Sequence, residues 1–134
     1  MIRTYGLTHI AMAVKDLDRS SRFYGHVFGA VEVYRSAAFV QLQTPGSHDV
    51  IVLETGKPHV GKSGGIAHFG FRLADPRDIE DAIRTVEAAG GTIASHGNFV
   101  PDQDPGEPYL FARDPDGYVV EIWYEAPTPV DRAF

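Results

Sequence analysis

The sequence predicts an α+β fold, one domain over residues 1–134 built from two tandem β-α-β-β-β modules. Three observations predict it. Apolar runs of strand length recur along the chain, two amphipathic segments are each entered through an aspartate, and the same order of elements appears on both sides of a Pro/Gly-rich break at 55–65 (TGKPHVGKSGG). Module one covers about residues 5–55 and module two about 66–125.

In the first module, residues 8–14 (THIAMAV) read as a strand. Asp16 is suited to cap a helix in which Leu17, Phe23, Tyr24, Val27 and Phe28 recur at helical spacing, and Gly29 is suited to end it. Three β-type runs follow at 31–34, 39–43 and 50–54, separated by turn-forming residues such as Thr44-Pro45-Gly46-Ser47. The second module repeats the plan. Residues 66–73 (IAHFGFRL) read as a strand, Asp75-Pro76 opens a helix with the stripe Ile79, Ala82, Ile83, Val86 and Ala89, and Gly90-Gly91 closes it. Strands at 92–95, 109–113 and 118–124 complete the unit. His9 is followed by Val14 and Asp16, and His68 by Leu73 and Asp75, at the same two offsets. Equivalent strands meeting in the middle of a pseudo-symmetric sheet assembly are the expected result.

Composition excludes several functions. The chain has 12 Lys+Arg, 18 Asp+Glu, six histidines and no cysteine, for a formal charge of −6. Without cysteine there are no disulfides, thiolate metal sites or cysteine nucleophiles, so histidine and carboxylate are the strong ligand types left. The acidic balance excludes nucleic acid and an anionic membrane as partners. No apolar run reaches the length of a membrane span, and the N-terminal MIRTYG lacks a secretory pattern, so a cytoplasmic protein is expected.

Side chains alternate across a strand, which sorts each strand into two faces. His9 shares a face with Ala11 and Ala13, and His68 with Gly70 and Arg72, while bulky apolar residues take the other face. Each histidine therefore stands on a face kept open by small residues, as on a cavity floor. The last strand (YVVEIWY) is apolar apart from Glu121 at its centre, with Trp123 on the same face. A buried carboxylate needs a compensating positive charge, and a divalent ion held with two neutral imidazoles would supply it. Alone, a strand histidine is an ordinary hydrogen-bonded residue and a mid-strand glutamate an ordinary solvent-facing one. Their coincidence points to a metal site of His9, His68 and Glu121 with open positions, which favours Fe(II) and is compatible with Mn(II) or Zn(II).

The chain resembles the vicinal oxygen chelate superfamily, which includes glyoxalase I, fosfomycin-resistance thiol transferases, type I extradiol dioxygenases, methylmalonyl-CoA epimerase and bleomycin-resistance proteins. The resemblance spans about residues 5–125 and is carried by Leu7-Thr8-His9-Ile10, Val14-Lys15-Asp16-Leu17, Phe23-Tyr24, Ala67-His68-Phe69 and the run 114–122 (DPDGYVVEI). It implies paired modules forming a curved mixed sheet around a metal cavity, with His9, His68 and Glu121 as ligands. It also implies a small substrate with adjacent oxygens and a homodimer. If modules exchange between copies, His9 of one would join His68 and Glu121 of another.

Departures from the family patterns narrow the activity. Glyoxalase I and the epimerase resemble four-ligand enzymes, but the position equivalent to Glu121 in module one is Val52, which cannot coordinate a metal. Extradiol dioxygenases carry a tyrosine where this chain has Phe111, and a histidine where it has Asp102, Gln103 and Asp104. Tyr109 and His59 are the acid/base candidates in their place, with His48 a further one. Fosfomycin transferases need cations around a phosphonate; here Arg72 lies beside His68 by parity, and Lys57 and Lys62 lie in the central break. The expectation is a divalent-metal-dependent enzyme, best matched by dioxygenase-type oxygen or enolate activation. The alternatives are a non-catalytic drug-binding protein of the bleomycin-resistance kind and a fosfomycin-type thiol transferase. The segment 97–108 (GNFVPDQDPGEP) is long for a hairpin and could cover the cavity as a lid.

Overall fold

Local capping chemistry sets both helices. The Asp16 side chain accepts from the Arg19 N–H at the start of α1 (Leu17–Phe28), and Gly29, at φ 68°, closes it in the left-handed region that glycine enters without steric cost. In the second module Asp75 accepts from the Arg77 N–H, opening a 3-10 turn at Pro76–Asp78 that runs into α2 (Ile79–Ala88). The computed structural model describes residues 1–131.

The strands are β1 (His9–Ala13), β2 (Val31–Arg35), β3 (Phe39–Gln43), β4 (Val50–Glu54), β5 (Phe69–Arg72), β6 (Thr92–Asn98), β7 (Pro108–Arg113) and β8 (Val119–Trp123). The expected α+β order holds on both sides of the break. Each half forms a four-stranded mixed sheet, ordered β1-β4-β3-β2 and β5-β8-β7-β6. The pairs β1/β4 and β5/β8 are parallel and the others antiparallel. Most strand ends lie within one residue of expectation, and the larger differences are in β5 and β6. β5 starts at Phe69, because Ile66 still donates to the Ser63 carbonyl in a turn, so His68 stands one residue ahead of the strand. β6 continues to Asn98 and pairs with Pro108, which shortens the connection to 99–107.

Alternation decides what is buried. In β7, Pro108, Leu110 and Ala112 are buried while Tyr109, Phe111 and Arg113 face the other way. Phe23, Tyr24, Val40, Leu42, Leu53, Val86, Leu110 and Val120 are all essentially inaccessible and join helices and sheets in one core. Burying a side chain of this size stabilises by roughly 1.5–3 kcal/mol against leaving it in water.

The two halves are clamped together by the turn at 114–117 (DPDG). The Asp116 carboxylate, 2% exposed, accepts from the Lys15 N–H, the Arg19 guanidinium and the Ser20 hydroxyl, all at the start of the first helix. Asp114 accepts from the Tyr24 hydroxyl and from the N–H groups of Asp116 and Tyr118. Phe28 stacks on Phe71 at 3.7 Å. The connector between the halves passes against the same turn: at Gly61 (φ 78°) a Cβ would lie 2.3 Å from the Asp116 carbonyl oxygen. No helix among the described residues is long and apolar enough to cross a membrane.

Candidate metal centre

Strand register makes the repeat concrete. Ala11 pairs with Val52 across β1/β4, and Gly70 pairs with Glu121 across β5/β8; each small residue lies two positions after a histidine. Val52 is therefore the counterpart of Glu121, as the sequence alignment of the two halves expects. Only the second half carries an acid at this place.

There, His68 Nε2 lies 3.6 Å from Glu121 Oε1. Glu121 is buried (8% exposed), and desolvation pushes its carboxyl above the usual range. Positive charge on His68 opposes that shift and Glu125 adds to it. Two donor atoms each about 2.1 Å from one ion lie roughly 3.4–3.6 Å apart at tetrahedral to trigonal angles, so this pair fits a shared divalent cation. Gly70 lets the two strands approach closely here: a Cβ would sit 3.2 Å from the Glu121 carbonyl oxygen, and in ordinary contact, 3.7 Å, with Glu121 Oε1. His68, Gly70, Arg72, Glu121, Trp123 and Glu125 line a cavity of about 300 Å³.

His9 is exposed on the edge strand β1, its ring next to the Thr8 hydroxyl. Among the described residues no three His, Asp or Glu side chains lie close enough to hold one ion. One chain therefore brings together His68 and Glu121 but not His9. Tyr109 stands on the same face as Glu121, opposite Trp123, and stacks on Phe99 at 4.0 Å. Phe99 also meets Trp123 edge-on, and Phe111, opposite Glu121, meets the His68 ring edge-on at 5.0 Å. The Trp123 indole N–H is buried and meets no acceptor among the described residues. His59 lies elsewhere. It is an exposed connector residue at φ 65° that lines, with His68, Lys62 and Ala11, a second cavity of about 320 Å³ that Glu121 does not reach. His48 is exposed between β3 and β4. Sequence reasoning missed Phe99 and Phe111 as walls of the site. Parity with Tyr109 gives Phe111, whereas no local signal places Phe99, which a loop folds back onto the sheet.

The sequence matches the Glyoxalase/Bleomycin resistance protein/Dioxygenase superfamily over residues 6–122. The chain belongs to this superfamily. Within it, the protein is 31% identical over 130 residues to an uncharacterized protein, PA2024, of Pseudomonas aeruginosa, covering 90% of this chain and 89% of that one. It is 30% identical over 131 residues to lactoylglutathione lyase GLX1 of Arabidopsis thaliana, covering 90% of this chain but only 44% of that relative. Among solved structures, the fosfomycin resistance protein FosX of Listeria monocytogenes, complexed with Mn(II) and dihydroxypropylphosphonic acid, superposes with a TM-score of 0.75. That comparison covers 92% of this chain and 93% of FosX at 20% identity, and it establishes the shared superfamily fold.

Proposed function

We propose that this superfamily member is a divalent-metal-dependent enzyme acting on a small substrate through two adjacent oxygens. The observation that carries the reading is the buried Glu121 carboxylate 3.6 Å from His68 Nε2. His68 and Glu121 hold the ion, and His9 of a second copy supplies the third ligand. The ion, Fe(II) by preference or Mn(II) or Zn(II), supplies Lewis-acid polarisation of the substrate oxygens and open positions for oxygen or enolate chemistry.

The chain's own residues do the rest. Gly70 leaves room for the substrate beside Glu121. Phe99, Tyr109, Phe111 and Trp123 exclude water from one side, and the Tyr109 hydroxyl is the candidate to give or take a proton at the reacting atom. His59 lies apart from Glu121 within one chain and is the second candidate.

The sheet edges support a homodimer. Both histidine-bearing segments lie at unpaired sheet edges, β1 and the start of β5. Leu7 and Ile66, each two residues before its histidine, are 89% and 71% exposed. Unpaired edges flanked by exposed apolar residues call for cover. Pairing β1 of one copy with β5 of another brings His9 to the second copy's His68 and Glu121.

The test is metal analysis joined to complementation. Wild type is expected to bind about one ion per chain, with His9→Ala, His68→Ala and Glu121→Gln each weakening binding by ~100-fold or more. Mixing His9→Ala with Glu121→Gln chains is expected to restore one intact site per mixed dimer. Full metal binding in His68→Ala would sink the metal reading, and no recovery on mixing would sink the shared site. A second reading, sequestration of a flat apolar drug, is favoured by the half-exposed Phe99 over the aromatic wall. It predicts stoichiometric ligand binding without metal and without product.

A further inference from the structure

The connection 99–107 between β6 and β7 carries an aromatic ring back onto the sheet. Phe99 stacks on Tyr109 at 4.0 Å and meets Trp123 edge-on at 5.4 Å. Tyr109 meets Phe111 edge-on at 5.7 Å, and Phe111 meets the His68 ring. A continuous row of rings therefore runs from the connection to the histidine beside Glu121. One side chain holds the connection closed. The Asn98 amide oxygen accepts from the Val100 and Glu107 N–H groups, both at 2.8 Å, and its NH2 group donates to the Pro105 carbonyl at 2.9 Å. The outgoing and returning limbs are thus tied to one amide at the point where the chain leaves the sheet. The Phe99 N–H donates to the Glu107 carbonyl, and the Gln103 N–H to the Val100 carbonyl. The limbs also touch: at Gly106 (φ 64°) a Cβ would lie 2.3 Å from the Val100 carbonyl oxygen.

We propose that Asn98 is the positioning residue of this aromatic wall: it locks segment 99–107 as a fixed cap, and the locked Phe99 selects a flat, ring-bearing ligand. The lock is independent of metal. The selection deepens the metal-site reading and rests on it for the placement of the ligand's adjacent oxygens. A single ring contact contributes little against the entropy of ordering a whole connection, so the amide bonds decide where Phe99 stands. Asparagine suits the place because it offers an acceptor that two N–H groups share and a donor on the same group; aspartate keeps only the acceptor, and alanine neither. A segment tied in this way is a wall rather than a lid. Phe99 lies against two rings and is still 51% exposed, so half its surface stays open beside Tyr109 and Trp123. A flat ring covers such a surface with offset or edge-on contacts, and a wall already in place spares the ligand the cost of ordering it.

Trp123 is the chain's one tryptophan, so its fluorescence reports on the cap directly. Acrylamide is expected to quench it weakly in metal-free wild type. Asn98→Ala is expected to raise the quenching constant about twofold to threefold, as Phe99→Ala does, and Asn98→Asp to recover part of the shielding through the acceptor it keeps. An Asn98→Ala chain that melts lower but shields Trp123 as wild type does overturns the positioning role. Calorimetry on the full chain loaded with Mn(II) reads the selection, with benzohydroxamate and acetohydroxamate as probes. Both present the same adjacent oxygens and differ only in a ring against a methyl group. The ring is expected to tighten binding about tenfold in wild type, and only about twofold in Phe99→Ala and Asn98→Ala. Equal ratios in all three chains overturn the selection. Benzohydroxamate titrated into metal-free protein, read by Trp123 fluorescence, separates the two readings. Phe99-dependent binding in a chain that retains no metal keeps this inference and rejects the metal centre. Metal retention with benzohydroxamate binding indifferent to Phe99 and Asn98 does the reverse.

Discussion

The Tyr118 hydroxyl donates to the Ala13 carbonyl at 2.8 Å, joining the residue just ahead of β8 to the last residue of β1. The bond crosses between the two halves and fixes the strand carrying Glu121 against the strand carrying His9. Tyr118→Phe leaves a part-buried carbonyl with one partner fewer and is expected to cost about 1 kcal/mol. Urea unfolding checks it: the midpoint falls while the slope stays constant.

Asp116 carries a larger share of the same junction. Asp116→Ala strands the Lys15 N–H, the Ser20 hydroxyl and the Arg19 guanidinium together. Arg19 is 38% exposed and regains water, so the loss is expected near 2–3 kcal/mol, below the full cost of breaking a wholly buried pair. Equilibrium unfolding of this variant and of Asp116→Asn measures it, the asparagine retaining part of the stability.

Val52→Glu installs an acid at the counterpart of Glu121. Position 52 is 7% exposed, so the new carboxylate is expected to destabilise the metal-free protein by roughly 1–3 kcal/mol. Metal is expected to recover that loss, widening the gap in melting temperature between metal-free and loaded protein relative to wild type. The widening disappears when His9→Ala is added. A Val52→Glu chain whose melting temperature ignores metal contradicts a shared centre.

Acid stability has a defined sign at Glu32. Hydrogen bonds from Arg35 and Ser21 hold its carboxyl at about 2, against an ordinary value of 4.5. A depressed folded-state pKa stabilises above the unfolded value and loses that contribution as pH falls through the folded one. The stability difference between wild type and Glu32→Gln is therefore expected to be constant above about pH 5 and to shrink between about 4.5 and 2. Asp114 works in the opposite direction: burial raises its pKa, so its contribution declines as pH rises through the raised value. Thermal melts of both proteins across this range decide the matter.

Much of the fold was legible because its signals are local. Asp16 and Gly29 mark the ends of the first helix by their own chemistry, and the period-two pattern of β7 and β8 sorts their faces without reference to anything distant. Glu121 stood out because it interrupts an apolar strand. His68 was singled out with it because a histidine on an open strand face coincides with that acid; that the two lie side by side comes from the β5/β8 register, which parity within one strand does not give. Parity alone could not say whether His9 reaches them, because that depends on how two sheets are set relative to one another. That setting comes from contacts about a hundred residues apart, such as Lys15 with Asp116. Phe99 over Trp123 and Asp131 against Arg72 escaped for the same reason: each is delivered by a loop or tail whose path no periodicity records.

Gly61 bears on how two chains could come together. Its backbone passes so close to the Asp116 carbonyl that no side chain fits between them, and this holds the middle of the connector against the second half. In the proposed dimer, association would then be a collision between two finished bodies, with no melting needed to separate them. Subunit exchange between variants should proceed on dilution and remixing at ambient temperature, without denaturant. A bulkier residue at position 61 would loosen the pin and change the route of assembly before it changed the site.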